Sequence, residues 1–378
     1  MTTPHVDALS APSAPVHLHG PADLVAAVPY LLGFTPQDCL VAAFLRGADG
    51  ELVITARVDH PTADDYGAFI DAWRRMCADI TAANDVDRLV LVDFCTSGRL
   101  VACGRPEAAD DAADDDADDE AAAVPDVCLT HAMATVAADA GLYVCDEIVV
   151  AGDRWRSVLC SDTVCCPVEG SAIDPERGSR VAAPFVYDGV APVEGRGALA
   201  ARVQPRPADD PESAAFNDEV SAAAEALHRQ FVEGNGSDLE AQRTEVTRCA
   251  GILIGEDTHS IAPVIALLSD VRRRDALMRT LVHEVDPAER RRAEDRIVAA
   301  LPLVGPELRA AAATLAAGLA WQRGDGALAH ECLAVALAQD PGYSLARLLQ
   351  RAISRAVPPQ VWVDAVAATS VDSCLRGA

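Results

Sequence analysis

Aromatic side chains are scarce in this chain of 378 residues: Phe, Trp and Tyr make up 4% of it, although half of the residues are hydrophobic. Alanine, valine and leucine therefore have to build the core, and alanine-rich helices of high intrinsic propensity suit that task. Positive charge is also in short supply. Against 58 Asp and Glu stand 31 Lys and Arg, a formal charge of −27. This argues against a sequence-independent nucleic-acid surface, which needs cations to displace phosphate counterions. It argues equally against an anionic membrane surface, and favours solubility or a basic partner. No stretch approaches the ~20 apolar residues of a membrane span. The opening MTTPHVDALSAPSAPVHLHG lacks the basic and apolar regions of a secretory signal. Residues 1–20 are expected to be a disordered arm, and the chain to be cytoplasmic. Phosphate-loop, H-E-x-x-H, G-x-S-x-G and EF-hand motifs are missing. The size suits two ordinary domains.

The pattern that is present divides the chain. Pro21 to Leu32 has a helical apolar stripe, which Pro29 should kink or end near Val28. Gly33 to Pro36 is a turn. Cys39–Leu45 and Leu52–Val58 form a first hairpin. Tyr66–Ala83 is a helix with Phe69, Trp73, Met76, Cys77 and Ile80 inward, Arg88–Phe94 a buried strand, and Val127–Ala140 a helix. A second hairpin follows, Ile148–Val150 and Trp155–Leu159. The order predicts an α/β domain over 21–172, with a mixed sheet, hairpins at both ends and flanking helices. The run EAADDAADDDADDE at 107–120 reads as a solvated acidic loop. Residues 173–212, rich in Gly and Pro, read as a linker. Their G-x-G-x-x-A at Gly195–Ala200 lacks the strand and long helix of a dinucleotide site.

Residues 213–378 predict an all-α helical domain with short connections. Within it, Ala329, Leu333, Ala336 and Pro341 have the spacing of the second helix of a tetratricopeptide (TPR) unit, whereas Gly318 and Trp321 are off the usual positions of the first. One unit is visible where a solenoid needs about three, so a TPR-like helix pair is expected.

Three motifs carry a resemblance. Pro29-Tyr30-Leu31-Leu32-Gly33-Phe34-x-Pro36 with Leu40-Val41, Arg154-Trp155-x-Ser157 with Cys160…Cys165-Cys166-Pro167 and Gly170, and Gly324-Asp325-Gly326-Ala327-x-Ala329 through Asp340-Pro341-Gly342-Tyr343-Ser344-Leu345-Ala346 together resemble the DUF 4192 family, uncharacterised and largely actinobacterial. The resemblance implies a fold and a cytoplasmic setting but no reaction.

Chemistry has few places to sit. Cys160, Cys165 and Cys166 are expected to lie close together at a turn, within the ~4.4–6.8 Å Cα separation that a disulfide requires. In reducing cytosol they read as packed free thiols without a cofactor. The alternatives are a thiol-redox site and a structural zinc, for which His131 is the least implausible fourth ligand. Trp155 between Arg154 and Arg156 resembles a base-stacking platform, but strand alternation puts the ring opposite both arginines and favours a core tryptophan. The first functional reading is non-enzymatic: a protein or peptide partner bound by the helical half. The second is a small-molecule or enzymatic site in the α/β domain. It would be lined by Gly33, Phe34 and Pro36 of the 33–38 loop and by Asp93 at a central strand end, where α/β sheets place ligands. Arg154, Trp155 and Ser157 complete the candidate binding residues.

Overall fold

In the computed structural model of the chain, residues 5–8, 16–62, 64–95, 129–233, 238–255 and 260–377 are described. The acidic run 107–120 lies outside them. The chain divides into two compact units, Met1–Arg196 with Ser354–Val357, and Gly197–Ile353 with Pro358–Ala378.

The first unit is built on a mixed sheet. Its strands are β1 (His5–Ala8), β2 (Cys39–Arg46), β3 (Glu51–Asp59), β4 (Arg88–Cys95), β5 (Tyr143–Ala151), β6 (Arg154–Ser157) and β7 (Ser171–Ala172), in the order β1-β3-β2-β4-β5-β6-β7. Its helices are α1 (Pro21–Leu32), α2 (Tyr66–Ala83), α3 (Leu129–Asp139) and α4 (Pro175–Tyr187). The β2–β3 and β5–β6 pairs are hairpins, and β4 and β5 run parallel across α3. The β3-α2-β4 crossover does not bring its strands together, because β2 lies between them, antiparallel to both.

Strand alternation separates the two faces. Leu40, Ala42, Phe44, Ile54, Ala56, Val58, Leu89 and Leu91 share one core with Trp73, Met76, Cys77 and Ile80 of α2 and Met133 and Ala137 of α3. The other face is left to α1, which packs on β5 and on α4; Tyr30 stacks on Phe185 with ring centroids 5.4 Å apart. Cys39 to Phe44 are all buried, as a strand covered on both faces must be.

Three expectations are corrected. His5–Ala8, inside the expected disordered arm, pairs antiparallel with β3. The first helix runs on through Pro29 to Leu32 and ends at Gly33, whose φ of 74° is left-handed. A proline in the last turn removes a single ladder hydrogen bond, so the apolar stripe can carry the helix past it. Within the expected linker, Pro175–Tyr187 is helical and buries Val181, Ala182 and Phe185, with Asp174 capping its first turn.

The second unit is helical. It contains α5 (Arg196–Ala201) in part, α6 (Pro211–His228), α7 (Leu239–Ile254), α8 (Ala262–Leu267), α9 (Val271–His283), α10 (Pro287–Ala300), α11 (Pro306–Arg323) and α12 (Gly326–Gln339). After these come α13 (Ser344–Ser354), α14 (Pro359–Ala367) and α15 (Val371–Arg376). Aspartates start many of them: the side chains of Asp210, Asp238, Asp270, Asp286 and Asp325 each accept from a first-turn backbone N–H. Such caps satisfy donors that a helix start leaves orphaned. Alanines make α11 the centre of the unit, with Ala310 to Trp321 all buried. A Cβ at Gly318 would stand 3.3 Å from Met278 Cε, so the small residue permits the close approach of α9. No described helix is long and apolar enough to cross a membrane.

Candidate functional site

The β5–β6 hairpin turns at Gly152 and sends its outgoing arm into the cysteines. Ser157 Oγ donates to Asp146 Oδ1 at 2.6 Å and accepts from the Cys160 backbone N–H at 3.2 Å. Asp162 then reverses the chain. Its Oδ1 accepts from the Val164 N–H at 2.8 Å, and its carbonyl accepts from the Cys166 N–H at 2.7 Å. The sulfurs of Cys160, Cys165 and Cys166 consequently lie within 4.8 Å of one another. Cys160 is half-buried, Cys165 exposed and Cys166 buried. Burial pushes the Cys166 thiol up to about 11, against a lowering by the Ser157 backbone N–H and with a further rise from Cys160 and Cys165. Arg154 donates to the Gly170 carbonyl at 2.7 Å and Arg156 to that of Val168 at 3.4 Å. The two arginines thus tie down the returning loop on either side of the half-buried Trp155. His131 pairs instead with Glu147, Nδ1 to Oε1 at 3.5 Å.

A second cluster lies where β4 ends. Asp93 is 1% exposed, and its Oδ1 is 2.7 Å from His60 Nε2. The 33–36 loop reaches the same end of the sheet, because Cys39 pairs with Phe94 and Leu40 with Asp93. The loop is pinned by backbone hydrogen bonds from Thr35 to Val193 and from Val193 to Gly33. Its buried Phe34 lies under the Arg57 guanidinium, 5.9 Å from ring centroid to Cζ. Arg57 is across from Val41, on the face opposite Asp93. The structure therefore brings Gly33, Phe34, Pro36 and Asp93 to one sheet end but gives Phe34 and Asp93 different faces. Arg57 donates to Asp59 at 2.5 Å and also faces the buried Cys39 thiol, whose pKa burial raises against a lowering by Arg57.

In the helical unit, α6, the π-helical turn Arg229–Glu233 after it and the start of α9 enclose a cleft of about 670 Å³. Ala224, Leu227 and Phe231 supply its apolar wall, and His228, Arg229 and Arg273 are among its charged or polar ones. Arg273 stacks on Phe231, Cζ 4.2 Å from the ring centroid.

A protein-family model described as a domain of unknown function, DUF4192, matches residues 21–360. The chain belongs to the DUF4192 family. No curated protein and no solved structure matches it. Two of the family-like motifs close loops in this DUF4192 protein: the first anchors to Val193, and the second forms the thiol turn. The third spans the α11–α12 junction, where Gly324 ends one helix with a φ of 86° and Asp325 caps the next.

Sequence reading missed His60, Arg57 and Glu147. Only tertiary contacts, across the sheet or from α3 onto β5, reveal them, although the position of Arg57 inside an apolar strand is a usable signal. The chain contains no lysine, so all 31 of its permanently cationic side chains are arginine. No side chain here can form the Schiff base on which amine catalysis depends.

Glu147 carries a test of its own. Its side chain is 2% exposed, and Oε2 has no hydrogen-bond partner. Burial raises its pKa, opposed by His131. A carboxylate raised in the folded state favours folding below its unfolded value, and that benefit is lost as pH rises through the folded value. Glu147→Gln is expected to stabilise the protein by about 1 kcal/mol at pH 7, with the gain vanishing below about pH 4. Urea denaturation at both pH values measures the difference.

Proposed function

We propose that this DUF4192 protein is a cytoplasmic, non-enzymatic interaction protein whose helical unit holds a peptide segment of a partner. The cleft between α6 and α9 supports this reading, because it combines an apolar wall with arginines that can orient a polar backbone or a carboxylate. The α11–α12 pair, with TPR-like spacing at Ala329, Leu333 and Ala336, belongs to the same class of helical recognition scaffold. An apolar side chain would enter between Leu227 and Phe231, and a carboxylate or backbone carbonyl would face Arg229, whose own ion pair with Glu225 is long at 3.9 Å.

The test is site-specific photo-crosslinking in the full chain, since amine-directed reagents find no lysine side chain. A photoreactive residue at Ala224 is expected to yield a discrete adduct, and one at Leu348, exposed on α13, is not. Adding Arg229→Glu should reduce the Ala224 adduct at least about tenfold, which corresponds to the ~1.4 kcal/mol of one lost charged contact. Equal labelling at 224 and 348, or an adduct indifferent to Arg229→Glu, would rule the reading out.

A further inference from the structure

We propose that Cys160, Cys165 and Cys166 form a three-thiolate site for Zn²⁺, with the fourth coordination position open to solvent or an exchangeable donor. Cysteines that serve as small core fillers are buried, yet Cys165 is exposed and Cys160 only half-buried. Their sulfurs nevertheless converge to within 4.8 Å. Tetrahedral zinc with bonds of about 2.3 Å sets its sulfurs about 3.8 Å apart, so closure requires movements of at most about 1 Å. Side-chain rotation at an exposed turn supplies that.

The backbone around the thiols is already held. Asp162 fixes the turn, Ser157 fixes the Cys160 amide and is itself held by Asp146, and two guanidinium groups fasten the Val168 and Gly170 carbonyls. Outer hydrogen bonds of this kind orient ligands and tune a metal. Three thiolates and one Zn²⁺ leave a net charge of −1, for which Arg154 and Arg156 of β6, bonded to the loop's Gly170 and Val168 carbonyls, supply positive charge. Binding is a displacement of protons: each thiol that becomes a ligand gives its proton to solvent, and no electron moves. Among the described residues the group contains no fourth Cys, His, Asp or Glu. Closed structural zinc sites have four protein ligands, and sites with three keep a position for water or another donor.

The experiment uses the full chain, reduced and metal-free, titrated with Co²⁺ as a spectroscopic stand-in for Zn²⁺. The expected result is a thiolate-to-cobalt charge-transfer band that saturates at one ion per chain and is bleached by Zn²⁺. Cys160→Ser and Cys166→Ser should abolish it, Cys374→Ser, in the other unit, should leave it unchanged, and Ser157→Ala should weaken binding about tenfold. Since a cysteine variant could fail to fold, the wild-type protein supplies an independent readout: Zn²⁺ should protect three thiols per chain from alkylation, mapped to 160, 165 and 166. Absence of the band, its persistence in Cys165→Ser, protection of other cysteines, or occupation by Cu(I) with no Zn²⁺ competition would each overturn the assignment.

Discussion

Replacing Arg323 with methionine is expected to destabilise the helical unit by about 3–5 kcal/mol at neutral pH, because it strands a buried carboxylate. Glu294 on α10 is 1% exposed and meets Arg323 on α11 in a two-pronged contact, Nε to Oε2 at 2.9 Å and Nη2 to Oε1 at 2.7 Å. The same Nη2 donates to Asp325 at 2.8 Å, so a single guanidinium links α10, the end of α11 and the cap of α12. Burial raises the Glu294 pKa, opposed by Arg323. Without the guanidinium that opposition is gone, and the pKa must climb further. A raised carboxylate favours the folded state at low pH and loses that benefit as pH rises through its folded value. The Arg323→Met penalty should therefore shrink as pH falls from neutral toward the unfolded-state glutamate value of about 4.3, because the folded variant takes up the Glu294 proton above that value. Arg323→Lys retains the charge but not the planar fork, and should fall between the two. Denaturant titrations across pH, with hydrogen exchange read in α10 and α11, measure the effect. A penalty independent of pH would show that packing, not charge, holds this junction.

The second large effect belongs to the α/β unit. Trp73→Ala should cost about 3–5 kcal/mol, the range for emptying a large aromatic from a core. Trp73 is fully buried between the sheet and α3, tilted against Phe44 with ring centroids 6.1 Å apart. Its indole N–H donates to the Met133 carbonyl at 2.8 Å, which ties α2 to α3. Trp73→Phe keeps most of the buried area but leaves that carbonyl without its donor, so about 1–3 kcal/mol is expected there. In a chain of two units a single unfolding transition is not assured. Hydrogen exchange in peptides from α2 and α3 gives the value for this unit alone. Equal losses for Ala and Phe would mean that the hydrogen bond outweighs the ring.

How far the sequence led depends on the range of the interactions involved. Helices with a periodic stripe and a sequence-local cap carry their own boundaries: Pro287–Ala300 begins with a reciprocal Asp286–Glu289 capping box, and Pro306–Arg323 and Gly326–Gln339 are separated by the Gly324-Asp325 stop and start. The convergence of the three thiols was legible for the same reason, since they fall within one turn set by Asp162. The α4 helix was not, because its Gly178 and Pro184 resemble linker chemistry; what makes it a helix is the burial of Phe185 against Tyr30, far away in sequence.

By itself, then, the sequence determined the α and β elements from the first helix through the second hairpin, the alanine-built helical half and the thiol turn, all of which rest on contacts a few residues apart. Tertiary structure alone decided that β2 would separate β3 from β4. It also decided that His60 would meet Asp93 and that Phe34 would lie on the face opposite that pair. A strand's alternation specifies its two faces but not its neighbours. Which side chains share a face across the sheet is set only when both faces are covered and one register buries the apolar set.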